Sequence, residues 1–203
     1  MPQKRPSYII AITGASGAIY GVRLLEYMVK NGHVIHLTVT REGWYILNEE
    51  VGFSWEGNEK EIASAISKYY GTSTENLHYY NEDNLSASIA SGSVHIDGMI
   101  VVPCSMKVAA SVACGFASNL VERAADVTLK EKRRLIIVPR ETPLNSIHLR
   151  NLLTLSEMGV HVIPAMPAFY GRPETIADIV DFIVGRILDS LHIDNDFYKR
   201  WNK

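Results

Sequence analysis

The feature that most constrains this chain is a regular alternation between short apolar runs and longer segments with helical spacing. The first run, YIIAIT at 8–13, is apolar up to its closing threonine, as expected of a strand buried on both faces. Similar runs predict further strands at 33–40, 98–103, 134–139 and 160–165. Strands that alternate with helices build a parallel sheet covered by helices on both faces.

Between the strands, apolar residues recur at the spacing of one helix face. In the segment 18–32 this spacing ends at Asn31-Gly32, a common helix stop. The same reasoning predicts helices at 44–51, 58–69, 106–115, 119–132, 146–159 and 173–191. A length of 203 residues suits one such domain, so we expect residues 1–203 to form a single α/β unit.

Composition narrows the possible functions. The net charge is −2, which does not suggest a nucleic-acid partner. Only two cysteines occur, so the chain is no disulfide scaffold, and we expect it in the cytoplasm. The apolar run near the N-terminus breaks at Gly14 and is too short for a signal sequence or a membrane span. We therefore expect no membrane association.

In open parallel sheets, ligands bind beyond the carboxyl ends of the strands. At that end of the first predicted strand lies TGASGAIYG, where Gly14 and Gly17 allow a tight turn close to a ligand. The following helix offers N–H groups to a phosphate, and Ser16 adds a hydroxyl. The G-x-x-G-x-x-x-G spacing matches neither the dinucleotide-binding pattern nor the P-loop, and a purely structural glycine turn remains an alternative.

The stretch VVPCSMKVAAS joins the strand at 98–103 to its helix. Ser105 is placed to cap the helix, and Lys107 lies in its first turn, where acids are usual, which suggests a bound anion. The alternative for Lys107 is a solvated helix residue. Cys104 is either a buried thiol, which we favour, or a nucleophile.

The loop VPRETPL, at 138–144, places an arginine and a glutamate between two prolines. The prolines stiffen the loop and so orient the side chains between them. Arg140 offers a fork of donors suited to phosphate or to a flat polar edge, and Glu141 can exchange a proton. The alternative is a surface ion pair with little effect.

The loop PAMPAFYGRP, at 164–173, is rich in proline and aromatic residues and predicts a rigid wall. Tyr170 could flank a flat ligand, whereas Phe169 is expected in the core. The seven histidines match no metal-ligand spacing, so we predict no bound metal.

Several longer motifs together identify a family. They are TGASGA.YG.RLL, ASGS, PCS, NL.ERAADV.LKE.R, PRETPL..IHL.N and PA.PAFY, in this order between Tyr8 and Trp201. On these motifs the chain resembles the flavin prenyltransferases of the UbiX/Pad type. The resemblance implies a flavodoxin-like or Rossmann-like αβα sandwich that assembles as a homododecamer.

The resemblance also implies an activity. Members join the dimethylallyl group of dimethylallyl monophosphate to reduced FMN, without a metal. The product, prenylated FMN, serves a UbiD-like decarboxylase in ubiquinone biosynthesis or aromatic-acid decarboxylation.

The resemblance assigns roles to residues in two sets. The FMN set is Gly14, Ala15 and Ser16 at the phosphate, with Thr40, Ser105, Met106, Lys107, Val108 and Arg140 along the rest of the flavin. The prenyl-phosphate set is Glu50, Lys130, Glu141, Tyr170, Arg186 and Trp201. The residues expected to be catalytic are Glu141, Ser16, Glu50 and Lys130. The family builds the second site across subunits, and the tail at about 192–203 is expected to contact a neighbouring subunit.

Three positions depart from the family pattern. Val108 replaces a common threonine, Thr40 replaces a serine, and Leu85 stands where some members place a tryptophan against the prenyl group. Two rival functions remain, an FMN-dependent cysteine decarboxylase of the same superfamily and a non-catalytic flavin carrier. The cysteine decarboxylases carry a PASAN-type loop where this chain has PCSMK. A carrier has no use for the charged members of the prenyl-phosphate set.

Overall fold

The computed structural model describes residues 5–201, apart from the side chain of Thr74. Its strands are β1 (Ser7–Ile12), β2 (Val34–Val39), β3 (Leu77–Asn81), β4 (Gly98–Cys104), β5 (Arg134–Pro139) and β6 (His161–Val162). They form one parallel sheet in the order β3-β2-β1-β4-β5-β6. Because the strand order reverses between β1 and β4, a crevice opens at the carboxyl ends of these two strands.

Helices cover both faces of the sheet. They are α1 (Ala18–Lys30), α2 (Arg41–Val51), α3 (Glu59–Tyr70), α4 (Met106–Ala113), α5 (Leu120–Lys130), α6 (Ser146–Glu157) and α7 (Ile176–Ser190). The first three and α7 pack on one face, and α4, α5 and α6 pack on the other. The predicted αβα sandwich is confirmed, with the strand order of a Rossmann fold. Within residues 5–201, no helix has the length and apolar character needed to cross a membrane.

The apolar runs are continuous because the central strands are covered on both sides. Every residue of β1 and β4 is buried. In β1, Ile10 and Ile12 belong to the core that includes α1 and α7. Ile9 and Ala11 belong to the opposite core, with α4 and α5. Since successive strand residues point to opposite faces, a strand in this position needs apolar residues throughout.

One strand, β3, is absent from the predicted set. Its sequence LHYYN alternates: Leu77 and Tyr79 are buried, whereas His78 and Tyr80 are half-buried. The strand lies at the edge of the sheet, so it carries no continuous apolar run. The sequence pattern therefore did not predict this strand.

The last predicted strand, 160–165, is shorter than expected, since β6 comprises only His161–Val162. Its pairing with β5 continues irregularly, because Ile163 and Ala165 donate hydrogen bonds to the carbonyls of Ile137 (2.9 Å) and Pro139 (3.1 Å). Pro164 lies between these two donors. Its missing N–H is tolerated because it faces the open edge of the sheet.

Candidate active site

Thr13 fixes the crevice between β1 and β4. Its side chain is fully buried at the end of β1. Oγ1 donates to the carbonyl of Pro103 at 2.8 Å and accepts from the backbone N–H of Ser105 at 2.8 Å. The loop after β1 is thereby held against the loop after β4, at the place where parallel sheets of this order bind ligands.

A cavity of about 90 Å³ lies at this crevice. Its lining residues are Gly14, Thr40, Glu42, Ser105, Lys107, Val108 and Asn119. All but Glu42 and Asn119 belong to the predicted FMN set. Two other members of that set lie in the same loops, since Ala15 is buried in the turn after β1 and Met106 is the first residue of α4.

Two hydroxyl groups in this cavity are held by helix capping. Thr40 caps α2, where Oγ1 accepts from the N–H of Gly43 at 3.0 Å. Ser105 caps α4, as predicted, where Oγ accepts from the N–H of Val108 at 3.3 Å. A hydroxyl that accepts in this way can still donate its own hydrogen. These two donors, the ammonium group of Lys107 and the N-terminus of α4 suit a phosphate group.

Glycine is required at position 14 by close packing. A Cβ atom there would lie 2.3 Å from the Cβ of Glu42. Because Gly14 lacks that atom, the first turn of α2 approaches the loop after β1. Glu42 reaches the same cavity, with Oε1 3.6 Å from the Nζ of Lys107. The carboxylate of Glu42 therefore partly balances the charge of Lys107.

The N-terminus of α1 is occupied by an acid of the protein itself. Glu50 Oε2 accepts from the N–H groups of Gly17 (2.8 Å) and Ala18 (3.0 Å). Burial alone would raise the pKa of the Glu50 carboxyl, but the hydrogen bonds from Ser16, Gly17 and Ala18 hold it below its ordinary value. The prediction that the first N–H groups of this helix are free for a phosphate is wrong for these two groups.

Arg140 joins the loop after β5 to the loop after β1. Its Nε donates to the carbonyl oxygen of Ser16 at 2.9 Å, and its charge also helps to lower the pKa of Glu50. Arg140, Ser16 and Glu50 are thus brought together by the structure. Glu141 follows directly and is half-buried, with Oε1 accepting only from the N–H of Thr142 at 3.1 Å within the described residues. Its carboxylate is therefore available to a ligand.

A second group of predicted residues lies on the outer surface of α7. The ring of Tyr170 packs edge-on against Trp201, with centroids 5.2 Å apart, and against Phe182. Arg186 donates to the hydroxyl of Tyr198 at 3.2 Å. Residues 195–201 fold back along α7 and complete this group, which we call the α7 patch: Tyr170, Phe182, Arg186, Tyr198 and Trp201. Trp201 is 69% exposed, so most of its ring is free to contact another molecule.

Lys130 lies apart from both groups. It ends α5 and contacts Glu131 at 2.8 Å. Helix α5 begins near the carboxyl ends of the strands, where the N–H of Leu120 donates to the carbonyl of Glu82 at 2.7 Å. Its 11 residues span roughly 16 Å at 1.5 Å per residue. Lys130 therefore lies near the amino ends of the strands, whereas Arg140 lies at their carboxyl ends.

The structure also locates three other residues discussed above, Cys104, Phe169 and Leu85. Cys104 is fully buried, and burial raises the pKa of its thiol to about 12, so it is an unreactive core residue rather than a nucleophile. Phe169 is 67% exposed, so its predicted place in the core is wrong. Leu85 is also exposed.

No cluster of three or more His, Cys, Asp or Glu side chains suited to a metal occurs in the described part of the chain.

Four residues of the cavity and the α7 patch were not predicted from the sequence: Glu42, Asn119, Phe182 and Tyr198. They come from separate parts of the chain and share no motif. Only Asn119 carried a signal: it opens the motif NL.ERAADV.LKE.R, and an asparagine three residues before Glu122 and ahead of an apolar helix is a typical N-cap.

Known proteins agree with this architecture. A model of the flavoprotein family matches residues 2–188. Flavin prenyltransferase UbiX of Halalkalibacterium halodurans is 46% identical over 196 residues, which cover 97% of this chain and 93% of the relative. UbiX of Methanocaldococcus jannaschii is 46% identical over 193 residues, covering 95% and 97%. The chain belongs to the UbiX flavin prenyltransferases.

Solved structures of the UbiX family superimpose on the chain. A dodecameric FMN-dependent UbiX-like decarboxylase from Escherichia coli O157:H7 gives a TM-score of 0.86 at 40% identity, covering 97% of this chain and 100% of that one. AnUbiX (PadA1), in complex with FMN and dimethylallyl pyrophosphate, gives 0.86 at 36% identity, covering 98% and 99%. The cysteine decarboxylase TvaF, at 13% identity and a TM-score of 0.60, shares the fold alone.

Proposed function

We propose that this protein joins the dimethylallyl group of dimethylallyl monophosphate to reduced FMN, forming prenylated FMN. The observation that carries the proposal is the Arg140–Ser16–Glu50 group beside a cavity with phosphate-type donors. It occurs in a chain whose UbiX relatives match it over almost its whole length. A protein that only carried flavin would not need a glutamate next to Arg140 at this position.

The residues of the crevice fit FMN. The resemblance implies Gly14, Ala15 and Ser16 at its phosphate. We propose instead that the hydroxyls of Thr40 and Ser105 and the ammonium group of Lys107 supply the phosphate donors, because they line one cavity beside Gly14. Val108 contributes an apolar contact in place of a hydroxyl, and Thr40 keeps the hydroxyl of the serine that it replaces. FMN is the flavin bound in the PadA1 structure.

The prenyl transfer requires stabilisation of a leaving phosphate and removal of protons. Lys130, Arg186 and Ser16 offer the positive charge and the hydroxyl donor for that phosphate. The single hydrogen of the Ser16 hydroxyl is donated to the Glu50 carboxylate in this structure, so the hydroxyl must turn away from Glu50 to donate to the phosphate. Glu141 accepts protons as the new bonds to the flavin form, a task that a carboxylate with few internal hydrogen bonds can perform.

We propose that the working form is a homododecamer, in which the tail at about 192–203 contacts a neighbouring subunit. Asn202 and Lys203 of that tail lie outside the described residues. The E. coli relative is dodecameric. In this chain α6 and its C-terminal end expose four large apolar side chains, Ile147, Leu149, Leu153 and Met158. An apolar surface of this kind marks a protein contact.

The product is a modified cofactor, so another enzyme must receive it. We propose a UbiD-like decarboxylase as the recipient, in ubiquinone biosynthesis or aromatic-acid decarboxylation. We also propose that the protein acts in the cytoplasm, which agrees with its two unpaired cysteines, Cys104 and Cys114.

The decisive experiment is a visible spectrum of the protein with FMN under reducing conditions, with and without dimethylallyl monophosphate. A prenyltransferase changes the flavin spectrum only when the prenyl donor is present. A flavin carrier binds FMN without that change. A cysteine decarboxylase instead consumes a peptide with a C-terminal cysteine. FMN binding with no prenylated product after donor addition would contradict the proposal.

Substitutions of Arg140 and Glu141 should impair different steps, namely FMN binding and prenyl transfer. Arg140→Ala removes a charged donor beside the flavin, so FMN affinity should fall by roughly 1.5–3 kcal/mol. Glu141→Gln keeps the shape of the side chain but removes the proton acceptor. FMN should still bind, while single-turnover prenylation slows on the order of 10²-fold or more. Glu56→Gln, at an exposed glutamate in the loop before α3, serves as the matched control. Wild-type prenylation by Glu141→Gln would make this glutamate a structural residue only.

A further inference from the structure

Three helix N-termini converge on the cavity at the β1–β4 crevice. Thr40, Ser105 and Asn119 are the N-cap residues of α2, α4 and α5, and all three line this cavity. Each helix N-terminus carries partial positive charge, and Lys107 adds a positive charge that the carboxylate of Glu42 in the same cavity offsets in part. The combination favours an anion such as a phosphate ester.

Asn119 is the first residue of the motif NL.ERAADV.LKE.R, but the resemblance gives it no role. Its Oδ1 accepts from the N–H of Glu122 at 2.9 Å. A backbone N–H can only donate, so the amide atom that faces it must be the oxygen, which fixes the orientation of the whole amide group. Nδ2, with two N–H groups, makes no hydrogen bond to any other described residue. These donors are therefore left for a ligand of the cavity that Asn119 lines.

Glu122 stabilises the loop segment that contains Asn119. The side chain of Glu122 is only 1% exposed. Its Oε2 accepts from both the backbone N–H and the hydroxyl of Ser118, each at 2.7 Å. Burial alone would raise the pKa of this carboxyl, but the bonds from Ser118 keep it below its ordinary value. Ser118 and Asn119 are thus anchored to the start of α5, so the amide is presented in one orientation.

We propose that Asn119 is a further FMN-binding residue, whose Nδ2 donates to the phosphate of FMN in this cavity. The inference rests on the proposed function. The cavity of about 90 Å³ is lined by the hydroxyls of Thr40 and Ser105, the ammonium group of Lys107 and the amide of Asn119, a set of donors that suits a phosphate group. At α1 the N–H groups of Gly17 and Ala18 are already bonded to Glu50, which leaves the α4 and α5 side of the crevice for the phosphate.

The test separates the phosphate contact from the capping role. Serine caps a helix as well as asparagine does, but it lacks the amide donor. Asn119→Ser should therefore unfold at the wild-type temperature and bind FMN about tenfold more weakly or worse, the loss expected for a hydrogen bond to a charged group. Its affinity for riboflavin, which has no phosphate, should stay within about twofold of the wild type. Both affinities are measured by the quenching of flavin fluorescence.

Two further variants complete the experiment. Asn119→Asp keeps the cap and the size but replaces the donors with a negative charge, so FMN affinity should fall further than in Asn119→Ser. Asn58→Ser makes the same exchange at the N-cap of α3, which does not line this cavity, and should change neither affinity. Equal losses of FMN and riboflavin, or wild-type FMN affinity in a folded Asn119→Ser, would overturn the inference. Failure of the wild-type protein to bind FMN would instead overturn the proposed function.

Discussion

The α7 patch can be tested through a single glycine on which its C-terminal segment rests. Gly185 lies on α7 directly under Tyr198. A Cβ atom at this position would lie 2.6 Å and 2.8 Å from two ring carbons of Tyr198, and 3.0 Å from Oδ1 of Asn195. Ordinary van der Waals contacts begin at 3.4 Å, so in Gly185→Ala the ring must move by about 0.8 Å, the difference between 3.4 and 2.6 Å.

A comparison of free energies indicates whether α7 or the C-terminal tail moves in Gly185→Ala. Alanine stabilises a helix interior by about 1 kcal/mol relative to glycine, whereas overpacking costs about 1–3 kcal/mol. The tail is held to α7 largely through Asp189, which accepts hydrogen bonds from Asn195 (2.9 Å), Tyr198 and Arg200 (2.8 Å). Partly exposed contacts of this kind contribute about 0–1 kcal/mol each. The tail should therefore shift while the helix stays, and the free energy of unfolding should change by less than about 1 kcal/mol.

Displacement of the tail should weaken the binding of dimethylallyl monophosphate but not that of FMN. Moving Tyr198 removes the hydroxyl that accepts from Arg186 at 3.2 Å and shifts Trp201 away from Tyr170. We expect the KM for dimethylallyl monophosphate to rise about tenfold in Gly185→Ala, while FMN affinity is unchanged. Asn195→Ala is the second variant, because it removes a tail contact to Asp189 (2.9 Å) and leaves the Arg186–Asp189 pair in place, and it should show the same selective effect. A Gly185→Ala protein with a displaced tail, seen as faster proteolysis after Ser190, but a wild-type KM would refute the reasoning.

Three shorter predictions follow from other contacts. Glu42→Gln should raise FMN affinity by up to about fivefold in a fluorescence titration, because it removes an acid from the cavity and releases Lys107 from a surface ion pair worth about 0.2–1 kcal/mol. His36 is buried, and burial together with the neighbouring His78 lowers its pKa to about 4, against an ordinary value of 6.5. Above pH 6.5 the imidazole is neutral in both the folded and the unfolded chain. As the pH falls from 6.5 towards 4, only the unfolded chain gains the proton, which favours unfolding. The free energy of unfolding in urea should therefore drop by about 2 kcal/mol between pH 7 and pH 5, and His36→Gln should lack this drop. Prenylation should persist in EDTA, because Lys130, Arg186 and Ser16 can stabilise the leaving phosphate; loss of activity that magnesium restores would count against this.

The sequence predicted those parts of the molecule that depend on local pattern. The continuous runs in β1 and β4 indicate strands covered on both faces, and the strand ends indicate the ligand edge of the sheet. Ser105 was predicted as a helix cap because capping is decided within a few residues. The αβα sandwich and its site at the carboxyl ends of the strands could thus be inferred without coordinates.

Contacts between distant loops could not be inferred in this way. Glu50 lies 33 residues from Gly17, and no periodicity or spacing indicates that its carboxylate caps α1. Glu42 and Asn119 reach one cavity because α2 and α5 both begin at the crevice, which depends on the order of strands in the sheet rather than on either local sequence. Phe169 was placed in the core by its apolar character alone, although a loop outside the sheet can leave such a ring exposed.

The location of Lys130 bears most directly on how the active site is assembled. A side chain that stabilises a leaving phosphate must come within hydrogen-bond distance of it, at about 3 Å. Within one chain, however, Lys130 lies at the far end of α5, about 16 Å along the helix from the edge that carries Arg140 and Glu141. The side chain of a lysine is too short to cover that distance. If Lys130 acts on the prenyl phosphate, it must do so in the active site of a neighbouring subunit, and catalysis then requires the oligomer. Mixing inactive Lys130→Ala with inactive Glu141→Gln subunits should therefore restore part of the activity, because some sites would combine a wild-type Lys130 with a wild-type Glu141. No recovery after proven subunit exchange would place Lys130 outside the reaction.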